Sequence, residues 1–223
     1  MRTSILLALA LLAIPAVAHA GIVEGRVTSA KRATKKTLAV TKDAGVCGKK
    51  GIPDESLIVA TDGALANAVA SLEGVPTGAA AQPAEAKLDQ TACRFIPHVQ
   101  SATVGGRLVV HNSDKVLHNV HAFRGADTAF NIALPMPQMK STQSLKEPGV
   151  LTLRCDAGHT WMSAHVAVFA HPYHAVSGKD GRFTIAEVPP GKYTLRVWHE
   201  TLGERTAQVT VAGDGKASAS IAF

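Results

Sequence analysis

The strongest constraint on this chain is a set of four donors in fixed order: His118, then Cys155 and His159 across Asp156-Ala157-Gly158, then Met162. They supply two imidazoles, one thiolate and one thioether. Thiolate and thioether are soft ligands that select copper over hard cations, and two imidazoles with one thiolate favour a trigonal plane with a weak axial sulfur. Any fold that satisfies these residues must bring the chain near 118 and near 155 to one place. Singly each has an ordinary reading: His118 as a hydrogen-bonded strand residue, Cys155 as a buried thiol, His159 as surface, Met162 as core filler. Together they point to copper.

The first twenty residues carry Arg2, an apolar run from Ile5 to Val17, and Ala18-His19-Ala20, the small-x-small pattern of a secretory cleavage site. We therefore expect a signal peptide over 1–20, a mature chain from Gly21 and a periplasmic address. No uninterrupted apolar run after Gly21 reaches the ~20 residues of a membrane span, so none is expected. Cys155 belongs to the donor set, which leaves Cys47 and Cys93 to pair in an oxidising compartment. Closing that loop would stabilise by about 4 kcal/mol on the chain-entropy model; two unpaired buried thiols are the alternative.

The formal charge is +6, partly concentrated in Lys31-Arg32 and Lys35-Lys36. An acidic partner face is one reading of that run and a solvated basic loop the other. Nucleic acid is not expected, because 4% aromatic residues offer few stacking platforms.

Short runs rich in Val, Ile and Thr, separated by Gly, Pro, Asn and Asp, predict an all-β protein. Strands are expected at Ile22 to Val27, Leu38 to Thr41, Leu57 to Ala60 and Ala68 to Leu72, forming an N-terminal β region over 21–87. The Ala- and Pro-rich stretch from Gly74 to Ala86 reads as a long loop. A second region, 88–170, has strands at Ala102 to Val104, Arg107 to His111, His118 to Phe123, Val150 to Cys155 and Val166 to Phe169. His118 opens one strand and Cys155 ends another, so a sandwich would gather the donors at one rim. The loop Met136-Pro137-Gln138-Met139 lies between them as a cover. A third region, 171–223, has strands at Arg182 to Ile185, Tyr193 to Trp198, Gln208 to Val211 and Ser218 to Phe223, with tight turns at Gly178-Lys179-Asp180-Gly181 and Val188-Pro189-Pro190-Gly191.

Leu117-His118-Asn119-Val120-His121 resembles the first-ligand segment of the cupredoxin family, Pro-His-Asn-Val, apart from Leu117 in the place of proline. Val110-His111-Asn112-Ser113-Asp114 is similar to the strand and turn that precede it. The resemblance, to amicyanin-like and plastocyanin-like members above all, implies a Greek-key sandwich, His118 as first ligand, and Asn119 as the side chain that ties the two ligand segments together. His159-Thr160-Trp161-Met162 keeps the amicyanin-like His-x2-Met spacing, while the interval after Cys155 has three residues instead of two, with Gly158 giving it freedom. Cys-x3-His-x2-Met also resembles the dinuclear copper A centre. That centre needs a second bridging cysteine four residues before the first, and position 151 is Leu, so one copper ion is expected.

Asp180-Gly181-Arg182-Phe183-Thr184-Ile185 and Val188-Pro189-Pro190-Gly191-Lys192-Tyr193-Thr194-Leu195 resemble the carboxypeptidase regulatory-like, prealbumin-type sandwich. Gly21 to Val27 is similar to the opening strand of such domains, so the N-terminal region is a candidate to complete that smaller sandwich. The whole arrangement resembles bacterial proteins labelled methylamine utilisation-like. These resemblances imply an electron carrier with a redox protein partner. Three strong ligands and a weak fourth leave no open position for substrate, so no enzyme is expected. A copper storage, delivery or protein- and glycan-binding module is the alternative. The remaining histidines, His98, His111, His121, His165, His171, His174 and His199, read as structural hydrogen-bonding groups.

Overall fold

The computed structural model describes residues 20–32, 36–76, 84–213 and 215–223. The leader before Ala20, Lys35 of the basic run, and residues 77–83 of the Ala- and Pro-rich stretch lie outside the described residues. Almost all regular structure is β, in two sandwiches with separate cores.

The first sandwich packs a five-stranded sheet on a four-stranded one. Across the five-stranded sheet the order is Asp127–Leu134, His118–Arg124, Gly149–Arg154, Ser163–Phe169 and Val99–Thr103; the last pair is parallel. Across the other it is Lys140–Ser144, Arg107–Asn112, Glu85–Thr91 and Arg94–Ile96. Period-2 alternation turns Leu108 and Val110, Val120 and Ala122, and Leu151 and Leu153 inward, and all six are buried with Leu88, Phe95 and Leu134. Full burial of each large side chain stabilises by about 1.5–3 kcal/mol.

The second sandwich packs a three-stranded sheet, Arg182–Val188, Gly21–Thr28 and Lys216–Ala222, on a four-stranded one, His174–Val176, Val69–Glu73, Gly191–His199 and Gly203–Val211. Gly21–Thr28 runs antiparallel to Arg182–Val188 and parallel to Lys216–Ala222, so the chain's first described strand completes the C-terminal sandwich. Tyr193, Leu195 and Val197 alternate inward against Val23, Val27 and Leu72.

The N-terminal region does not stay together. Gly21–Thr28 and Val69–Glu73 serve the second core, whereas residues 37–53 pack on the first: Leu38 and Ile52 meet that core, and Thr37–Leu38 pairs with Ile52–Pro53. The disulfide between Cys47 and Cys93 holds this segment there, with Cα atoms 5.1 Å apart. The expected strand at Leu57 to Ala60 is only a single bridge from Val59 to Leu65, and the one at Leu38 to Thr41 shrinks to two residues. Six strands were not expected: Ile52–Pro53, Glu85–Thr91, Arg94–Ile96, His174–Val176, Asp127–Leu134 and Lys140–Ser144. The last two lie at sheet edges and are mostly exposed, so they carry little apolar patterning.

The sandwiches meet through Val69, Val99 and Ala167, flanked by Val150, Phe169, Val176 and Trp198. His174 crosses the junction, bonding Ser101 Oγ at 2.8 Å and Thr103 Oγ1 at 3.2 Å. Among the described residues, no helix is long and apolar enough to cross a membrane.

Candidate metal centre

The first sandwich closes at one end with polar groups in place of its apolar core. His118 opens its strand and Cys155 follows the last residue of Gly149–Arg154, two central strands paired to each other. The turn before His118 is fixed by Asn112, which is fully buried; its amide donates to the carbonyls of Val116 and Leu134, both at 2.9 Å, and its Oδ1 accepts from Asp114 N–H at 3.0 Å.

Three donors converge there. His118 Nδ1 lies 3.0 Å from His159 Nδ1, and Cys155 Sγ lies 3.9 Å from the first and 3.7 Å from the second. All three residues are buried. A triangle of this size holds a point about 2 Å from every corner, the length of a bond from a transition ion to imidazole or thiolate. The donor set is one soft sulfur and two imidazole nitrogens, which suits copper and excludes magnesium and calcium chemistry. The residues therefore fit such an ion. Met162 is buried in the same core, and its N–H donates to the His159 carbonyl at 2.9 Å. Leu151, where a copper A centre would carry a bridging cysteine, is a core side chain.

The outer nitrogens of both imidazoles meet carboxylates that sequence reasoning missed. Asp114 Oδ2 lies 2.9 Å from His118 Nε2, and Asp43 Oδ2 lies 2.9 Å from His159 Nε2. Such partners fix the ring orientation and aim the other nitrogen at the metal position. Asp114 is itself held, accepting from the N–H groups of Ala92 and Cys93 at 2.8 Å each. Burial opposes the charge on Asp114, but its bonds to His118, Cys93 and Ala92 prevail and hold its carboxyl below the usual range. Burial likewise opposes the His118 cation, yet Asp114 and Cys155 raise its pKa to about 9. His159 is pushed down by burial, with the His118 charge adding to it against Asp43.

Asn119 ties the two ligand segments together: its Oδ1 accepts from the N–H groups of Asp156 and Ala157, and its amide donates to Asn131 Oδ1 at 2.9 Å. Gly158 has φ +94°, open to glycine at little cost, and a Cβ there would meet Lys42 Cδ at 2.8 Å. Lys42 Nζ donates to the Ala157 carbonyl at 2.6 Å. Lys42, Asp43 and Cys47 therefore form a cap over the Cys155–His159 loop, and His159 is fully buried beneath it. The rim expected from strand ends is a covered pocket. Trp161 is buried beside His159, ring centroids 5.3 Å apart, and donates to the Cys93 carbonyl at 3.0 Å. The Met136 to Met139 loop hangs from Asn112, whose carbonyl accepts from Gln138 N–H at 2.6 Å, and leaves Met136 63% exposed. His121 faces away from the triangle, packed on Phe123 and bonded to Asp156 and Thr128.

Residues 152–223 match the family model of the carboxypeptidase regulatory-like domain. That match begins at Thr152, on a strand of the first sandwich, and runs through every described C-terminal strand of the second. No curated protein matches the chain. Similar solved structures include a copper-containing nitrite reductase from Thermus scotoductus SA-01, 19% identical over 42% of this chain and 24% of that one, with a TM-score of 0.34. A purple cupredoxin from Nitrosopumilus maritimus is 22% identical over 37% of this chain and 98% of its own, TM-score 0.33. Amicyanin from Paracoccus versutus is 19% identical over 43% and 85%, TM-score 0.33. Each is a likeness of fold over part of the chain.

Proposed function

We propose that this protein is an exported mononuclear type 1 copper protein that carries single electrons in the periplasm. The observation that supports this reading is the buried Nδ1–Nδ1–Sγ triangle, 3.0, 3.7 and 3.9 Å on its edges. Copper, when bound, supplies a one-electron couple. His118, Cys155 and His159 are the three strong ligands, and Met162 is the weak fourth that tunes the potential. Asp114 and Asp43 keep the imidazoles in one orientation, and Asn119 holds the two ligand segments at fixed separation, so the donors move little on a change of charge. Val120 and Trp161 exclude water. With every strong position taken by protein, no substrate site remains, and the protein is not an enzyme. The net charge of +6 favours a redox partner with an acidic face.

A second reading, copper storage or delivery, draws on the cap: Asp43 and the tethered Cys47 cover His159, which lengthens any path from that imidazole to a partner. Voltammetry of the copper-loaded chain separates the two. A carrier gives a reversible one-electron wave over repeated cycles; loss of metal on reduction contradicts the carrier reading.

A further inference from the structure

A second group of histidines lies at the junction of the sandwiches. His98 follows the strand Arg94–Ile96, His165 sits within Ser163–Phe169, and Glu200 follows Gly191–His199 of the other sandwich. His98 Nε2 bonds Glu200 Oε1, and His165 Nε2 lies 3.2 Å from Glu200 Oε2. The donor atoms of the three residues all lie within 4.8 Å of one another, and both histidines are buried.

The outer nitrogens are occupied. His98 Nδ1 lies 3.0 Å from the Ser163 carbonyl, an acceptor, so its hydrogen sits at Nδ1. A neutral His98 therefore turns the lone pair of Nε2 toward a carboxylate oxygen, which is repulsive unless a cation sits between them. His165 Nδ1 is contacted by Thr152 Oγ1 at 3.4 Å, and its Nε2 also faces the carboxylate. A proton on His98, whose pKa Glu200 raises against the opposing effect of burial, relieves that contact, and the Nε2–H tautomer of His165 donates to the other; a metal ion would replace both hydrogens and bind the carboxylate as well. Carbonyl and hydroxyl partners behind the imidazoles are the arrangement that aims histidines at metals. Burial works against the Glu200 charge, yet the two imidazoles hold its pKa down to about 2, so the carboxylate is ionised and ready to ligate.

We propose that His98, His165 and Glu200 form a second metal site, for a divalent cation of the Zn(II) type, which clamps the two sandwiches together. Two imidazoles and a carboxylate, with no sulfur, suit Zn(II), Ni(II) or Cu(II) and disfavour Cu(I), so the site differs in kind from the His118–Cys155–His159 triangle. The Glu200 side chain keeps 14% of its surface exposed, which gives an ion its entry. Because one ligand comes from the other sandwich, binding stabilises their packing as well as each fold.

The test uses the full mature chain carrying His118→Ala and Cys155→Ser, which removes the triangle, titrated with zinc chloride in equilibrium dialysis. One zinc per chain is expected, with a rise in melting temperature of roughly 5 °C at a hundredfold excess over the dissociation constant. Adding Glu200→Gln or His165→Gln should weaken binding at least tenfold and abolish the rise. Zinc-edge anomalous scattering from crystals of the unaltered chain soaked in zinc chloride should place the metal between His98, His165 and Glu200, whichever variants fold. No metal density there, or zinc binding that ignores Glu200→Gln and His165→Gln, would show an ion-pair network alone and overturn the proposal.

Discussion

The two sandwiches have similar numbers of strands and opposite interiors. The second is closed by side chains such as Val23, Leu72, Ile185, Leu195 and Val209, with few buried polar groups beyond Ser71, Ser177 and His199. The first buries Gln90, Asn112, Asp114, His118, Asn119 and His159 at one end, each costly to desolvate unless paired. For all but Gln90 Oε1, which lacks a hydrogen-bond partner, that cost is met by Asn112 and Asn119 bonding backbone, and by Asp114 and Asp43 facing the imidazoles. A sandwich can thus carry chemistry where a polar network replaces apolar packing. The contrast places the candidate ligands His118, Cys155 and His159 in the first sandwich and leaves the second with an apolar interior.

Breaking the tether should have the largest effect. Cys47→Ser with Cys93→Ser opens a loop of 46 residues and should cost about 4 kcal/mol in denaturant unfolding, while uncovering His159 to solvent. An unchanged midpoint would mean that residues 37–53 hold to the first core without the bridge. Leu195→Ala in the second core should cost about 3 kcal/mol, yet leave the copper spectrum unaltered below the melting transition. A changed spectrum would show that the scaffold sets the site. Asp114→Asn should lower copper affinity by roughly 10- to 100-fold, measured by competition with a chelator of known affinity.

A pH-dependent effect concerns the junction. Burial, with a contribution from His171, pushes the pKa of His174 down to about 4 from 6.5. The unfolded chain then binds more protons between those values, so stability is lost as pH falls from about 6.5 toward 4. His174→Gln should flatten that decline by at most about 1.4 kcal/mol per pH unit in urea unfolding.

Much of this was legible in the chain. The alternation of Tyr193, Leu195 and Val197, and the donor spacing from Cys155 to Met162, need only local periodicity and donor chemistry. Asn119 was readable through its resemblance, and the Cys47–Cys93 pairing through compartment and count. Asp114 stood four residues before His118, a visible spacing that lacks meaning until the turn is built. Asp43 gave no local signal at all: it lies 116 residues from His159, and only the disulfide at Cys47 hints at its position. Glu200 escaped for the same reason, since its two histidines come from the other sandwich. Edge strands such as Lys140–Ser144 bury too little to leave an apolar pattern.

The central claim is that Cys155, His118 and His159 hold one copper ion through a thiolate bond. The direct measurement is the optical and paramagnetic resonance spectrum of the mature chain reconstituted with Cu(II), beside Cys155→Ser. The account predicts one copper per chain and an intense thiolate charge-transfer colour that the variant lacks. A colourless unaltered chain, or identical spectra for the two, would contradict it.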